Sequence, residues 1–209
     1  MKIAVISSNG KVGKLVVEEA VRRGHDVTGF ARSENKSVAK NFVQKDLMDL
    51  TKEDLQGFDA VVDAFGTFAP ETLHLHTETA MHLSDILSGS DTQLYIVGGA
   101  GSLYMDKEHT VQLLDTPDFP AEFYPLAKAA ADELDALRKR NDVKWTFVSP
   151  AADFRADGPR TGEYIIGGEE FTVNEKGESI ISYADFALAM VDMVESGKYV
   201  QERVGLVQK

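Results

Sequence analysis

The chain has 209 residues, 34 of them acidic and 22 basic, for a formal net charge of −12, and it contains no cysteine. That charge repels nucleic acid and anionic lipid surfaces, and the lack of cysteine excludes a disulfide framework, a thiolate nucleophile and a cysteine metal cluster. A chain of this length buries roughly 70 per cent of its unfolded surface, enough for one α/β core, and with no signal-peptide pattern and no membrane-spanning apolar run it is expected to be cytoplasmic.

Lys2 to Ile6 is a β-branched run suited to a strand buried on both faces. Ser7, Ser8, Asn9 and Gly10 make a small-residue turn, and from Val12 the apolar residues Leu15, Val16, Ala20 and Val21 recur at helical spacing until Gly24. A helix N-terminus carries unpaired N–H groups and about half a positive charge, so a pyrophosphate laid there needs no side chain. Ser7, Asn9, Gly10, Lys11, Val12 and Gly13 are therefore the candidate phosphate-binding turn. Dinucleotide fingerprints place glycine first in this turn, where the chain has Ser7. On the glycines alone, an ordinary strand and helix joined by a small-residue turn stays open as the alternative.

Asp26 to Phe30 reads as a second strand, whose carboxyl end lies beside the adenosine ribose in such a site. An NAD-selective site places an acid there. This chain has Arg32 and Ser33 instead, and a guanidinium at that point pairs with a 2′-phosphate. NADP(H) is thus favoured over NAD(H). The competing reading of Arg32, with Lys36 and Lys40 nearby, is a solvated surface cation.

Phe42 to Lys45 is a third strand ending in Asp46 and Leu47, Thr51 caps a short helix, and Phe58 to Ala64 is a fourth strand running into Phe65, Gly66 and Thr67. Pro70 to Ser88 reads as a helix, Gln93 to Val97 as the fifth strand, Gly98 to Ser102 as a second glycine-rich turn, Phe123 to Arg140 as a long helix, and Val143 to Val148 as a strand ended by Ser149 and Pro150. Ligands bind outside the carboxyl ends of strands in sheets of this kind. Asp46, Leu47, Ala64, Phe65, Gly66, Gly98, Gly99 and Pro150 therefore join the candidate cofactor contacts. Beyond Pro150 the glycines punctuate Tyr164 to Ile166 and Phe171 to Val173, which predicts a small hairpin outside the main sheet. Residues 151–182 would cap the substrate side. Ile180 to Ser182 is a short extended piece, Tyr183 to Glu195 a final helix, and Val204 to Val207 an edge strand. The alternation predicts one α/β domain over 1–209 with a doubly wound, mostly parallel sheet.

RRGHDVTGFAR, VVDAFG, YIVGGAGSLY, DTPDFPAEF, KWTFVSPAADF and RTGEYIIGG followed by GESIISYADFALAMVD, together with the first strand and turn, run nearly end to end. Through them the chain resembles the atypical short-chain dehydrogenases with a GxxGxxG-type turn, most closely the small NADH-flavin reductase-like proteins. The resemblance implies a Rossmann-type fold, a bound nicotinamide dinucleotide, and reduction of a flavin or another small conjugated acceptor. Gly10 and Gly13 match that turn and Ser7 departs from it.

Tyr124 and Lys128 form a YxxxK pair resembling the catalytic pair of short-chain dehydrogenases, in which the lysine also binds ribose, and Ser102 approximates the serine partner. Pro125 places Tyr124 at or before the first helical turn, so a packing role for the tyrosine stays open. Flavin reduction needs less, because hydride passes directly between two aligned rings. Phe65, Phe68, Tyr104 and Phe154 are candidate borders of the acceptor, each also readable as packing. Arg155 and Arg160 meet either an anionic acceptor or solvent. His74, His76 and His82 share a helix without ligand spacing, so no metal site is expected. The pairs Glu18–Glu19 and Glu169–Glu170 read as solvated faces.

The expected function is an NAD(P)H-dependent oxidoreductase passing hydride, NADPH favoured, to a flavin or quinone-like small molecule, with flavin as substrate rather than resident cofactor. Two alternatives remain: a nonenzymatic NAD(P) sensor, and a carbonyl reductase or epimerase using Tyr124.

Overall fold

In the computed structural model, which describes residues 1–209, the apolar runs become strands β1 (Lys2–Ile6), β2 (Asp26–Ala31), β3 (Asn41–Gln44), β4 (Ala60–Asp63), β5 (Gln93–Val97), β6 (Lys144–Ser149), β7 (Asp153–Arg155), β8 (Tyr164–Gly167), β9 (Ile180–Ser182) and β10 (Glu202–Gln208). The helices are α1 (Lys11–Arg22), α2 (Lys52–Leu55), α3 (Leu75–Leu87), α4 (Tyr124–Leu137) and α5 (Tyr183–Ser196). Eight strands form one sheet in the order β3-β2-β1-β4-β5-β6-β10-β8, with every pairing parallel except that of β8 with β10. This is a Rossmann-like α/β fold.

The period of two along each strand sends alternate side chains to opposite layers. In β1, Ile3 and Val5 join Val16 and Val17 of α1 and Phe186 and Met190 of α5 in one core; Ala4 and Ile6 join Ala80 and Leu83 of α3 and Leu134 of α4 in the other. From β1 the chain builds outward through β2 and β3, then returns to place β4 on the other side of β1, so the strand order reverses between β1 and β4. A crevice opens at their carboxyl ends, and ligands bind at such switch points. Ile6 stands in register with Phe30 on one side and Asp63 on the other, so the turns after β1, β2 and β4 share one edge.

The structure corrects the sequence expectations in four places. The predicted helix from Pro70 is two pieces, a 3-10 turn over Pro70–Thr72 and then α3. Phe123 ends a separate 3-10 turn before α4 starts. No hairpin stands outside the main sheet: Tyr164–Gly167 is its antiparallel edge strand, and Phe171 to Val173 is irregular because Phe171 N–H donates to the Tyr104 carbonyl. β10 consequently lies inside the sheet between β6 and β8 rather than at its edge. A second, two-stranded sheet pairs β7 with β9 in parallel.

α5 is capped by the Ser182 hydroxyl, which accepts from Asp185 N–H, and it ends at Gly197 in the left-handed region. The buried Asp185 carboxylate accepts from Thr161 N–H, Thr161 O–H and Gly162 N–H. The RTG segment is thereby fixed to the first turn of α5. No helix is long and apolar enough to cross a membrane.

Candidate functional site

The turn after β1 is built around one residue in an unfavourable conformation. Ser7 has φ 57°, the left-handed region, which explains why glycine is the usual occupant. Its carbonyl accepts from Gly10 N–H, and a Cβ on Gly13 would lie 2.4 Å from that same oxygen, so only glycine lets α1 pack this tightly on the turn. Ser8 is buried and points inward, its hydroxyl and its N–H both donating to the Phe30 carbonyl, in space that Gly29 leaves free. Gly10 is the N-cap of α1. No side chain caps this helix, and its first turn carries no acid. Ser7→Gly is expected to raise stability by about 0.5–1 kcal/mol, because a left-handed residue costs about 1–2 kcal/mol and the added chain entropy of glycine takes back about 0.5–1 kcal/mol. Thermal unfolding reads this directly, and a lowered Tm would show that the serine side chain supports the turn.

Beside the turn a depression is lined by Ala31, Arg32, Asp46, Leu47, Met48 and Phe65. Arg32 is 83% exposed and its Nε stands 3.9 Å from Asp46 Oδ2, outside hydrogen-bond distance, so the guanidinium is held only loosely by protein. Asp46 Oδ1 accepts from Met48 N–H and starts the next turn. Asn9 does not point to open solvent: its amide reaches the Ser33–Lys36 loop.

The third wall is the turn after β4. Asp63 is buried, accepts from Phe65 N–H at 2.9 Å, and is pushed up to about 6 by burial. Glu133 on α4 is 2% exposed, its Oε2 has no hydrogen-bond partner, and burial together with the neighbouring Asp63 carboxyl drives it well above the ordinary carboxylate range. His76 holds the Thr67 carbonyl and packs edge-on against Phe65. Ala64, Phe65 and Gly66 thus sit on a braced loop, with Phe68 beyond them 75% exposed. Gly98 and Gly99 follow β5. A Cβ on Gly98 would strike the Phe147 ring at 2.2 Å, and Gly99 and Gly101 face Ala130 and Ala127 of α4. These glycines bring α4 close to the sheet. Pro150 is buried at the end of β6 beside Ser149, whose hydroxyl has no partner.

Tyr124 and Lys128 border an open cleft between α3 and α4 together with Leu73, His74 and Thr77. Tyr124 is 41% exposed at the start of α4, and the Lys128 ammonium is bound to Asp132. Ser102 is not part of that cleft. It is 3% exposed, and its hydroxyl accepts from the buried guanidinium of Arg203, which also pairs with Glu169. The structure therefore brings together two of the three residues of the short-chain dehydrogenase pattern.

Several charges read as solvated are structural. Glu19 is buried on α1 and binds Arg22, Arg23 and Arg160, and Glu169 binds Arg138 and Arg203, whereas Glu170 is half exposed, as expected, with His109 beside it. Arg160 binds Glu19 and Arg155 binds Asp153, each side chain staying about half exposed. Tyr104 stacks on His109 and Phe154 packs on Tyr183 and Phe186, whereas Phe65 lines the depression beside the first turn and Phe68 is exposed. His74 stands 3.9 Å from Glu78, and His82 contacts the Leu50 carbonyl.

Residues 8–196 match the model of a family described as NAD(P)H-binding. The chain belongs to this NAD(P)H-binding family. A "putative NADH-flavin reductase" from Streptococcus pneumoniae is 58% identical, with all of both chains covered and a TM-score of 0.98. The "uncharacterized protein YwnB" of Bacillus subtilis is 43% identical over 212 residues, covering 100% of this chain and 99% of the relative. A Lactobacillus casei protein is 32% identical with a TM-score of 0.89, over 100% of this chain and 99% of its own. The residues fit the family's ligand: the first turn of α1, uncapped and free of acids, suits a pyrophosphate, and the depression lined by Ala31, Arg32, Asp46, Leu47 and Phe65 opens beside it.

Proposed function

We propose that this chain is an NAD(P)H-dependent reductase, with NADPH preferred, that passes hydride to a flavin or a quinone-like acceptor entering as substrate. The observation that carries the reading is the separation of the carbonyl-reducing machinery: Ser102 is committed to Arg203 in the interior and Lys128 to Asp132, so no serine–tyrosine–lysine set is assembled at the edge. The full-length relative described as a "putative NADH-flavin reductase" supports the same chemistry. A bound NADPH supplies the hydride. The protein's part is then to hold the pyrophosphate on Gly10 to Gly13, to receive the 2′-phosphate on Arg32, and to border the acceptor with Phe65 and Phe68. The proton that accompanies hydride to the acceptor comes from water, so no side-chain acid is required.

Steady-state NADPH oxidation with FMN, FAD and simple quinones tests the reading. Tyr124→Phe is expected to keep more than about half of the kcat for flavin, since a phenol proton is worth about 10²- to 10⁴-fold only where it enters the transition state. Loss of turnover in this variant would favour the carbonyl reductase or epimerase alternative. Tight NADPH binding with no turnover on any acceptor would instead identify a sensor.

A further inference from the structure

We infer that Asn9 is a positioning residue for cofactor choice: its amide braces the Ser33–Lys36 loop against the phosphate turn, so that Arg32 and Ser33 are presented as a 2′-phosphate site. The inference rests on the NADPH preference proposed above and concerns how that preference is built.

One side chain spans two loops 24 to 27 residues apart. Asn9 Nδ2 donates to the Ser33 hydroxyl at 3.0 Å, to the Glu34 carbonyl at 2.8 Å and, at 3.4 Å, to the Ser33 carbonyl, while Oδ1 accepts from Lys36 N–H at 2.8 Å. Two carbonyls on one side and an N–H on the other leave a single orientation of the amide; the flipped amide would set donor against donor and oxygen against oxygen. Asn35 completes the loop, donating to the Ala39 carbonyl and accepting from Ser37 N–H and O–H. The Ser33–Lys36 loop is thus held in shape by two asparagines rather than by pairing with a strand.

The polarity of these bonds carries the argument. The Ser33 hydroxyl accepts from Asn9, so its own proton remains to be donated outward, on the same segment as the loosely held Arg32 guanidinium. A hydroxyl donor beside a cation suits a monoester dianion, whose oxygens accept charge-assisted hydrogen bonds. Asn9 also directly precedes Gly10, the N-cap of the helix on which a pyrophosphate would rest. Its peptide therefore belongs to the pyrophosphate turn and its side chain to the 2′-phosphate loop, and the ligand's two phosphate groups meet surfaces joined through one residue. NADH lacks the 2′-phosphate and makes no use of the second surface.

The test is the dissociation constants of NADPH and NADH, measured by titration for the wild type, Asn9→Ala, Asn9→Ser, Arg32→Ala and the Asn9→Ala/Arg32→Ala double variant. Asn9→Ala and Asn9→Ser are expected to raise the NADPH constant about tenfold, the lower end for loss of one hydrogen bond to a charged group, and to change the NADH constant less than about threefold. In the Arg32→Ala background, Asn9→Ala should remove little further selectivity, because both act on the same phosphate. The ratio of the two constants does not depend on the fraction of protein folded, so a less stable variant still reports. Equal weakening of both cofactors in a wild type that prefers NADPH overturns this inference alone. Fully additive losses of selectivity in the double variant overturn it as well. A wild type without preference overturns the NADPH reading and this inference together.

Discussion

Glu19→Gln is expected to cost about 3 kcal/mol of stability at pH 7, as its carboxylate is held at about 2 against an ordinary 4.5. Burial on its own would raise this group; hydrogen bonds from Arg22, Arg23 and Arg160 outweigh it. Because the folded state depresses the carboxylate, its stabilisation is complete above pH 4.5 and is lost as pH falls toward 2. The glutamine variant therefore loses its deficit on acidification, and the two proteins converge near pH 2. Urea unfolding at pH 7, 4 and 2.5 measures the difference. A constant gap across that range would mean that packing, not charge, is what Glu19 contributes. The residue matters beyond α1, since Arg160 ties the loop before β8 to it, and Arg23 continues to Asp192 and Glu195 on α5. The loop before β8 should loosen in the variant, visible as faster amide exchange around Arg160 to Tyr164.

Asp63→Asn is expected to act in the opposite direction. Burial raises Asp63 to about 6 from an ordinary 3.8, so the folded protein holds a proton that the unfolded chain releases. Stability then falls as pH rises from 3.8 through 6, by about 3 kcal/mol in total. Glu133, shifted the same way, adds to this slope at higher pH. Asparagine keeps an oxygen to accept from Phe65 N–H and carries no charge, so the variant should match the wild type near pH 3.5 and exceed it by up to about 3 kcal/mol at pH 8. Tm as a function of pH gives the result, and a variant less stable than wild type at pH 8 would show that the ionised carboxylate is needed by the turn. The two groups thus pull stability in opposite directions with pH, the Glu19 contribution being complete above about 4.5 and the Asp63 cost growing up to about 6. A buried charge tolerated at the ligand edge is the kind of cost that proteins carry at functional sites.

The central strands were readable because strands buried on both faces must be continuous apolar runs, and β1, β4, β5 and β6 are that. Phe171 to Val173 has the same composition, yet its backbone bonds are taken by the Tyr104 loop, a partner that local pattern does not reveal. The opposite error hid β7, whose Asp153 and Arg155 pair with each other and read as loop. The placement of β10 had a usable signal: an edge strand is rarely apolar on both faces, and Val204, Leu206 and Val207 are all buried. Glu19 had one too. It lies three residues after Val16, next to Ala20, and four before Arg23, which puts it on the inward face of α1 with a cation one turn on. At the candidate site, the turns at the ligand edge were visible as small-residue clusters after apolar runs. Ser102 and Glu169 were misread because Arg203, the group that claims both, lies 101 and 34 residues away.

β8 and β10 also impose an order on biosynthesis. Tyr164 to Gly167 leaves the ribosome well before Glu202 to Gln208, yet it joins the sheet only through those later residues. Until β10 emerges, β6 is an open edge, and the RTGEY segment has its anchors on α1 and α5 but no strand to lie against. The last strand made is the one that closes the sheet, and a nascent chain stalled before it displays two unpaired edges to the cell's chaperones and proteases.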